Sequence, residues 1–589
     1  MLKKEKRINK LKKWVTTRCN ADFAMIARRY KISEVMAEVL VKRGLHTWNA
    51  MDMYLFPDMD AMYDPKLMKD LVKAADILKE KIAAGKKFLV IGDYDVDGIM
   101  SSYILVNGIK RLGGSVSYRI PHRVKDGYGI RDYMVEEAYN QGIDCIITCD
   151  NGISAVEAAD KAKELGIMYI LTDHHEVPSD ENGEIIPKAD AVVNPKQKEC
   201  KYPYKMLCGA GIAYKLMSYI YEEKGDKSYQ KELLPFAAIA TVCDVVPLED
   251  ENRIIVSNGL KMLADKNDIK CVGLKALIDA QGIERELNSY DLGFRIGPCL
   301  NAAGRLEDAK IGLELLLEND ISSAEKMANE LVTLNEERKE LTAEATNNAI
   351  KQIESTNALN DPVLVIYIEG CHESVAGIVA GRIREKYYRP TYILTDGEKG
   401  LKGSGRSIPG YHMQQALLKC KELLTEFGGH ALAAGFSLPK ENLEIFRKTL
   451  NEQCNLKEEE LIETVTFDKE LPFKDVSSGL VEQLKYMEPF GEKNPGALFA
   501  KRNVIVKSVY MCGKENQIAR LKLMDDGSVY DAVDFRAEEH IGPAIEERYG
   551  SGVWEDMKAG KCGQSIDVLY VPDINDRYGN VQFKIVDCR

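Results

Sequence analysis

Four apolar segments in the first half of the chain end in acidic or imidazole side chains, and this repeated pattern constrains the fold more than any other feature. The segments are VIGDYDVDG, IITCDNG, LTDHH and TVCDVVPL. Each apolar run is predicted to be a buried strand, so the polar groups should emerge at one edge of a sheet. The side chains are Asp93, Asp95, Asp97, Asp150, Asp173, His174, His175 and Asp244.

The region from residue 87 to 195 alternates apolar strands with amphipathic helices. FLVIGD, VSYRIP, CIITCD, MYILTD and AVVNP are the predicted strands. Alternation at this spacing predicts a parallel sheet with right-handed crossovers. Active groups in such sheets gather beyond the carboxyl ends of the strands, where the acidic clusters fall.

The donor set predicts a pair of divalent cations. Carboxylates with one or two imidazoles suit Mn²⁺ or Mg²⁺ better than the thiolate-rich sets that zinc favours. Taken singly, GDYDVDG could be a solvated acidic turn or a calcium loop, and Asp150 a helix cap. Asp244, however, would be a costly buried charge without a cation. The cluster is therefore interpreted as a two-metal phosphoester-hydrolysing centre in which Asp150 is shared by both ions.

A second set of candidate residues is basic and rich in glycine. GSGRS contains Ser404 and Arg406, and GGH contains Gly429 and His430. Arginine binds phosphate through two parallel hydrogen bonds, and glycines let the main chain approach an anion. The alternative is two ordinary turns.

Length and composition set the broad class. A chain of 589 residues exceeds one ordinary core, so several domains are expected. No apolar run reaches the length needed to cross a bilayer, and the fourteen cysteines include no CxxC pair. The basic N-terminus lacks the apolar core of a signal peptide, which predicts a cytoplasmic protein.

That basic N-terminus is either a solvated tail or a nucleic-acid contact, in spite of the net charge of −12. Its cationic residues are Lys3, Lys4, Lys6, Arg7, Lys10, Lys12 and Lys13.

Two further segments indicate the domain organisation. Residues 320–355 form a long polar helix of the kind that spans between domains. Beyond about residue 465, short strands with turn residues between them predict a small β-barrel or sandwich.

Several ordered blocks, together with the Asp-His-His triplet at 173–175, carry a family resemblance. They are IPHRVKDGYG (120–129), FRIGPCLNAAGRL (294–306), GSGRSIPG (403–410), GGHALAAGF (428–436) and MEPFGEKNP (487–495). The chain resembles the DHH phosphoesterase superfamily and, within it, the bacterial RecJ exonuclease family, from about residue 50 to residue 500.

The resemblance implies an α/β fold in which a parallel-sheet DHH domain is linked by a long helix to an α/β DHHA1 domain, with a C-terminal β-barrel of the OB-fold type. The expected boundaries are a basic N-terminal segment at 1–50, the DHH domain at 51–315, the linking helix at 316–358, the DHHA1 domain at 359–464 and the OB-fold-like nucleic-acid-binding domain at 465–589.

The resemblance also implies an activity. A single-stranded-DNA-specific 5′→3′ exonuclease would hydrolyse phosphodiester bonds with two Mn²⁺ or Mg²⁺ ions, in DNA recombination and repair. A RecQ-type helicase and a single-strand binding protein are the implied partners. The rival hypotheses are a DHH-family phosphodiesterase for short oligonucleotides or cyclic dinucleotides, and a DHH-fold scaffold that binds DNA without cutting it.

Carried onto this sequence, the family assigns roles residue by residue. His175 would lie beside the scissile phosphate, as a catalytic residue with Asp150. Phosphate would be held by Ser404, Arg406, Gly429 and His430, and Asn301 and Arg305 would line the same channel. The implied metal ligands are Asp93, Asp95, Asp97, Asp150, His174 and Asp244.

Two positions depart from the family pattern. Many superfamily members place a histidine four residues before the first aspartate of a D-x-D pair, where this chain has Ile91 before Asp95. Members of the RecJ family tend to have an arginine at the position of Cys299. In the predicted barrel, Tyr510, Tyr530 and Phe535 are candidates for stacking on bases, or else for the core.

Overall fold

The computed structural model describes residues 12–589 except 124, 128, 398, 399, 514, 515, 576 and 577, and it leaves out the side chain of Lys227. The chain divides into two compact units. Unit A comprises Thr47–Lys339 and Met487–Pro495, and unit B comprises the remaining described residues.

The chain begins with three elements of unit B and then enters unit A. The unit B elements are β1 (Lys13–Val15), α1 (Phe23–Tyr30) and α2 (Glu34–Lys42). The elements of unit A up to residue 193 are α3 (Trp48–Leu55), α4 (Leu71–Ala83), β2 (Lys87–Ile91), α5 (Val96–Arg111), β3 (Ser115–Arg119), α6 (Asp132–Asn140), β4 (Cys145–Cys149), α7 (Val156–Leu165), β5 (Met168–Thr172), β6 (Ser179–Asp180), β7 (Gly183–Glu184) and β8 (Ala191–Val193).

The rest of unit A is mainly helical. Its elements are α8 (Gly209–Glu223), α9 (Lys227–Cys243), α10 (Asp250–Leu263), α11 (Val272–Ala280), α12 (Ser289–Asp291), a π-helical turn (Leu292–Ile296), α13 (Gly297–Leu306) and α14 (Lys310–Leu317). Within the part of unit A and unit B that the structure describes, no helix is long and apolar enough to cross a membrane.

The predicted parallel sheet is confirmed. Its strands lie in the order β3-β2-β4-β5-β8, and every neighbouring pair is parallel. Both faces are covered: Phe88 and Val90 face a cluster that includes α5 and α8, whereas Leu89 and Ile91 face a cluster that includes α6 and α7. Burial on both faces explains why the inner strands β2, β4 and β5 are nearly continuous apolar runs, whereas the edge strand β3 alternates.

One predicted strand is wrong. The segment TVCDVVPL was expected to be a strand that ends in Asp244, but Thr241–Cys243 is the last turn of α9 and Asp244 is the cap that follows it. A short apolar run has the same composition in a buried strand and in a buried helix, so periodicity alone does not separate them.

A short segment late in the chain, Met487–Pro495, packs into unit A. The buried guanidinium of Arg253 donates to the carbonyl oxygens of Tyr54, Met487 and Glu488 at 2.8–2.9 Å. The Leu248 amide donates to the Glu492 carbonyl oxygen at 2.8 Å. Because Leu248 follows Asp244 by four residues, this segment braces the loop that carries Asp244.

The long helix α15 (Ile321–Ser355) contributes to the cores of both units. Ala324, Ala328 and Leu331 belong to the core of unit A, and Ala349 and Ile353 belong to a core cluster of unit B. Most of these buried residues are alanines at helical spacing. Because alanine buries little apolar area, the helix can pack in both cores and still be polar overall.

The next part of unit B is an α/β domain built on a five-stranded sheet. The strands lie in the order β12-β13-β11-β10-β9, with β9 and β10 parallel and the other pairs antiparallel. Its elements are β9 (Leu364–Tyr367), α16 (Glu373–Tyr387), β10 (Thr391–Gly397), β11 (Gly400–Arg406), α17 (Met413–Lys419), β12 (Glu426–Gly429), β13 (Ala433–Leu438) and α18 (Leu443–Glu452).

The predicted barrel is confirmed as a closed five-stranded one. β16 pairs with both β17 and β19, which closes the order β16-β17-β18-β20-β19. The elements are β14 (Thr464–Thr466), β15 (Lys469–Glu470), α19 (Ser478–Leu484), β16 (Phe499–Cys512), β17 (Ile518–Asp525), β18 (Ser528–Asp534), α20 (Ile541–Tyr549), α21 (Val553–Lys558), β19 (Ser565–Ile574) and β20 (Val581–Cys588). The predicted fold class is therefore confirmed in all three of its parts.

Candidate metal centre

The first carboxylates of the site follow β2 at its carboxyl end. Asp93 is buried, and Asp95 caps α5 by accepting a hydrogen bond from the Gly98 amide at 3.1 Å. A Cβ atom on Gly98 would lie 2.3 Å from the Asp93 carbonyl oxygen, so glycine is required for the helix to begin this close to the strand. Burial, and then the charge of Asp95, raises the pKa of Asp93 well above its ordinary value.

Asp150 follows β4, the neighbouring strand, and is buried. Its backbone is left-handed (φ 60°), a conformation that aspartate tolerates better than most residues. Burial and then the charges of the surrounding carboxylates raise the pKa of Asp150 well above its ordinary value. A carboxyl group in this position is crowded by negative charge unless a cation is present.

His174 follows β5 and is almost completely buried. Its Nε2 atom lies 3.0 Å from Asp150 Oδ1. The same atom lies 3.6 Å from an oxygen of Asp97 and 3.7 Å from an oxygen of Asp244. Burial and the neighbouring His175 lower the pKa of His174 to about 3, so the ring is neutral and keeps a lone pair for a metal ion.

Asp97 is held by a helix N-terminus that the sequence pattern did not reveal. Its two carboxylate oxygens accept hydrogen bonds from the first amides of α8, those of Gly209 (2.6 Å) and Ala210 (2.7 Å). These donors oppose burial and the charge of Asp95, which together raise the pKa of Asp97 to about 6. A Cβ atom on Gly209 would lie 2.7 Å from the Asp150 Cβ. The only local sign of this role is a glycine that opens an apolar helix.

Asp244 approaches the cluster from the end of α9 rather than from the sheet. Burial and then the charges of Asp97 and Asp95 raise the pKa of Asp244 to about 9. The next residue, Val245, has a φ of 58°, which is a strained conformation for a β-branched side chain. Strain therefore lies immediately beside a candidate ligand.

Asp173 and His175 form a separate hydrogen-bonded pair. Asp173 Oδ1 lies 2.7 Å from His175 Nδ1, and Oδ2 accepts from the Ile153 amide at 2.8 Å. Burial would lower the pKa of His175, but the bond to Asp173 and the nearby carboxylates outweigh it and raise the pKa to about 9. Asp173 thus orients one imidazole, while the other, that of His174, faces the acidic cluster.

The donor atoms form three overlapping groups, and within each group they lie no more than 4.8 Å apart. The groups are Asp93–Asp95–Asp150, Asp97–His174–Asp244 and Asp150–His174–His175. Asp150 is therefore shared between the group with Asp93 and Asp95, which follow β2, and the group with His174.

Several of these donor atoms have no hydrogen-bond partner, as is expected of atoms that bind a cation. Among the described residues, Asp93 Oδ1 and Asp244 Oδ2 are buried without a hydrogen-bond partner, and His174 Nε2 makes no hydrogen bond in spite of its 3.0 Å separation from Asp150 Oδ1. Buried polar atoms are costly in that state. The set of oxygen and imidazole donors fits two Mn²⁺ or Mg²⁺ ions and does not fit a thiolate site.

Manganese should therefore stabilise the protein. A ligand that binds only the folded state at a hundredfold excess over its Kd adds about 2.7 kcal/mol, so Mn²⁺ is expected to raise Tm by several degrees. The measurement is a thermal melt with MnCl₂, then with excess chelator, against NaCl of equal ionic strength. Identical melting curves in all three solutions would contradict a metal centre.

The other predicted residues of unit A lie beside this cluster or away from it. Asn301 and Arg305 are half-exposed on α13, and the charge of Arg305 acts on Tyr94, the residue between Asp93 and Asp95. Cys299 is buried and accepts from Gln281 Nε2 at 3.1 Å. Ile91 packs in the core behind the sheet, so its side chain does not replace the family histidine as a ligand.

The two glycine-rich motifs of unit B, GSGRS and GGH, lie within a strand and at the end of a strand. GSGRS was expected to offer free backbone amides, but Gly403–Arg406 belongs to β11, which is paired on both sides. Ser404 and Arg406 instead share one face of the strand, where Arg406 Nη1 lies 3.3 Å from Ser404 Oγ. A Cβ atom on Gly377 of α16 would lie 2.9 Å from each side chain.

Gly429 and His430 mark the end of β12. Gly429 has a φ of 143°, and a Cβ atom there would lie 2.5 Å from the Ala433 carbonyl oxygen, so the tight turn into β13 requires glycine. His430 is exposed, and its amide donates to the Ala433 carbonyl oxygen at 2.8 Å. This segment is a tight turn that presents an imidazole to solvent.

The predicted nucleic-acid contacts at the two ends of the chain are only partly described. Lys3, Lys4, Lys6, Arg7 and Lys10 lie outside the described residues, and so do two residues of the IPHRVKDGYG block. In the barrel, Tyr510 and Phe535 are exposed, whereas Tyr530 is partly buried and packs against Phe473 and Phe583.

Three family models match the chain. The DHH family N-terminal domain matches residues 87–241, the DHHA1 domain matches residues 360–456, and the RecJ OB domain matches residues 467–587.

Curated relatives match over most of the chain. Single-stranded-DNA-specific exonuclease RecJ of Dickeya dadantii is 34% identical over 82% of this chain and 86% of the relative. The protein of the same name from Escherichia coli K12 is 33% identical over 87% of this chain and 89% of the relative. That of Bacillus subtilis is 36% identical over 87% of this chain, which spans only 64% of its length.

Solved structures agree with these relatives. The crystal structure of RecJ in complex with Mn²⁺ from Thermus thermophilus matches with a TM-score of 0.79 and 26% identity, over 98% of this chain and 79% of that one. An exonuclease RecJ bound to manganese matches with a TM-score of 0.58 and 33% identity, over 65% of this chain and 94% of that one.

Proposed function

The chain belongs to the RecJ family of DHH phosphoesterases, and from this premise we propose that it is a single-stranded-DNA-specific 5′→3′ exonuclease acting in DNA recombination and repair. It is a metal-dependent enzyme that hydrolyses phosphodiester bonds with two Mn²⁺ or Mg²⁺ ions. The observation that carries the proposal is the position of Asp150, whose carboxylate belongs both to the acidic group of β2 and to the group of His174.

The proposed ligands fall on two sides of Asp150. Asp93 and Asp95 would hold one ion with it, and Asp97, His174 and Asp244 would hold the other. When bound, the ions lower the pKa of a water molecule and neutralise charge on the attacked phosphate. The amides of α8 keep Asp97 in place, and the neutral ring of His174 offers a lone pair without a competing proton.

His175 is proposed as the residue beside the scissile phosphate. Its Nδ1 atom lies 2.7 Å from Asp173 Oδ1, and this contact orients the ring beside the acidic cluster. A charged imidazole held by a buried carboxylate can donate a hydrogen bond or a proton to a phosphate oxygen. Asn301 and Arg305, on the helix next to Tyr94, would contact the backbone of the same strand.

Unit B is proposed to bind further phosphates through side chains. Ser404 and Arg406 form one face of β11, and Gly429 and His430 form the turn between β12 and β13. We assign catalysis to residues 51–315, linkage to residues 316–358, phosphate binding to residues 359–464 and strand binding to residues 465–589. The segment 1–50 is a further candidate contact.

We also propose that the protein works in the cytoplasm with a RecQ-type helicase and a single-strand binding protein. A helicase would supply unpaired ends from duplex DNA, which a single-strand-specific enzyme needs. None of the fourteen cysteines, all of which are described, is paired in a disulfide, as is usual for proteins of a reducing compartment.

The proposed function is tested by a time course on end-labelled DNA. A 5′-phosphorylated single strand should be shortened from its 5′ end with Mn²⁺ or Mg²⁺, and should remain intact with chelator. Blunt duplex of the same sequence is the control and should resist. Labels at the 5′ and 3′ ends, followed in parallel, establish the direction.

The rivals are separated by the same assay. Cleavage confined to dinucleotides or cyclic dinucleotides would replace the exonuclease with a small-substrate phosphodiesterase. Binding of the labelled strand without cleavage under every metal condition would indicate a scaffold.

Replacing Arg406 with alanine should weaken strand binding about tenfold, because a charge-assisted hydrogen bond to phosphate is lost. The salt dependence of binding should fall by roughly 0.7 in slope, the value for one contact on a single strand. The measurement is fluorescence anisotropy of a labelled strand in chelator at several salt concentrations.

Arg382→Ala is the matched control for that variant. Arg382 is exposed on α16, five residues beyond Gly377 and so on a different side of the helix. If the salt dependence of strand binding were the same in Arg406→Ala and in Arg382→Ala, Arg406 would not contact the strand.

A further inference from the structure

Two exposed aromatic rings of unit A have no role in the proposed chemistry. Tyr290 and Phe294 are 60% and 67% exposed. Their rings stack on each other, with centroids 4.8 Å apart and planes at 20°. These two side chains, the aromatic pair, present a broad apolar surface to solvent, which is an unfavourable exposure unless something covers it.

The backbone beneath the aromatic pair is rigidly held. Buried Asp291 accepts two hydrogen bonds from Arg285, at 2.7 and 3.0 Å, and one from the Asn288 amide at 3.0 Å. Ser289 Oγ donates to the Phe490 carbonyl oxygen at 2.6 Å. A surface fixed in this way before binding loses little conformational entropy when a ligand arrives.

The aromatic pair continues a line of proposed substrate contacts. Phe294 lies in the π-helical turn that leads into α13, and such turns are frequent at functional sites. Asn301 and Arg305 follow it by seven and eleven residues, at helical spacing, and share the solvent side. Leu300 and Ala303 of α13 are buried, so Asn301 and Arg305 lie on the partly exposed side of α13, and the exposed aromatic pair precedes that side in the chain.

The segment from the π-helical turn to the end of α13 contacts neighbours of the candidate metal ligands at both of its ends. Cys243, which precedes Asp244, donates through its thiol to the Leu292 carbonyl oxygen at 3.4 Å. At the other end, a Cβ atom on Gly304 would lie 2.7 Å from the Tyr94 carbonyl oxygen. At 1.5 Å per residue, Arg305 and the aromatic pair are about 20 Å apart along this segment. A substrate strand that follows the segment to the metal centre therefore meets the aromatic pair.

We propose that Tyr290 and Phe294 form a stacking platform for unpaired nucleobases of the DNA strand. The inference rests on the proposed nuclease function and deepens it, because it separates base contacts from phosphate contacts. Aromatic faces stack on every base, so they hold a strand without reading its sequence. The uncharged rings do not bind phosphate, and paired bases do not present their faces to them.

The test compares two strands of equal phosphate number. One is a 5′-phosphorylated oligothymidylate, and the other carries abasic residues throughout its interior. The measurement is KM for each strand with Mn²⁺, using the full chain. In the variant Tyr290→Leu/Phe294→Leu, the ratio of abasic KM to thymidine KM should fall by about fivefold or more, since each base stack lost costs at least that much.

Two controls isolate the aromatic faces. Tyr139→Leu removes another tyrosine of unit A that is 52% exposed, on α6, and should keep the ratio of the unmodified protein. Tyr290→Phe/Phe294→Tyr keeps both rings and should also keep it.

An unchanged ratio in the leucine variant would overturn the platform, whether KM stays the same on both strands or rises equally on both. Failure of the unmodified protein to cut either strand would instead refute the nuclease function.

Discussion

Replacing Asp150 with asparagine should lower kcat by roughly 10³-fold or more, because several kcal/mol of charge stabilisation depend on the pair of ions that this carboxylate shares. Asparagine keeps the shape of the side chain and tolerates the left-handed backbone at this position. The measurement is single-strand hydrolysis with saturating Mn²⁺.

The same variant should fold normally without metal. Burial and the charges of Asp97, Asp95, Asp93 and Asp244 raise the pKa of Asp150, so a neutral amide relieves repulsion in chelator. We expect Tm in chelator to be at least that of the unmodified protein, and the increase on adding Mn²⁺ to be largely lost.

Asp144→Asn is the matched control. Asp144 lies at the opposite end of the same strand, β4, and binds Lys86 Nζ at 2.8 Å on the surface. Activity and the manganese response should survive that change, since exposed ion pairs contribute only about 0–1 kcal/mol. Near-normal turnover in Asp150→Asn would remove Asp150 from the proposed centre.

Replacing His175 with glutamine should lower kcat by about 10²-fold or more, the usual contribution of a positioned acid or base. The expectation follows from geometry, because Asp173 fixes the ring at 2.7 Å while His174 faces the carboxylates. The measurement combines kcat with a calorimetric titration of Mn²⁺.

The metal titration distinguishes the two adjacent histidines. His175→Gln should keep most of its Mn²⁺ affinity, whereas His174→Gln should lose it along with activity. His46→Gln changes an exposed histidine and serves as the control. If His175→Gln lost its manganese instead, His175 would be a ligand and the roles proposed for the pair would be reversed.

Much of the centre could be predicted because parallel strands end together. Asp93, Asp150 and His174 each follow a buried strand of one sheet, so their proximity follows from the strand–helix alternation alone. The aspartate of the triplet, Asp173, could not be separated from the ligands in this way, because its hydrogen bonds to Ile153 and His175 depend on side-chain orientation.

The features that sequence reasoning missed depend on contacts between distant residues. Gly209 binds Asp97 across 112 positions, and no local pattern indicates that pairing. Asp244 was predicted at a strand end because a buried helix and a buried strand share composition. GSGRS was expected to offer backbone amides to an anion, but the segment pairs with β10 and β13 in spite of the weak strand propensity of glycine.

The aromatic pair was missed for a related reason. An apolar residue in a sequence is more often buried than exposed, so Tyr290 and Phe294 are indistinguishable from core residues until the fold is known.

Anomalous scattering from crystals grown with manganese locates the two ions directly. Two peaks should appear at the carboxyl end of the parallel sheet, one beside Asp93 and Asp95 and one beside His174 and Asp244, with Asp150 between them. Peaks elsewhere, or none at millimolar manganese, would contradict a two-ion hydrolytic centre at this edge.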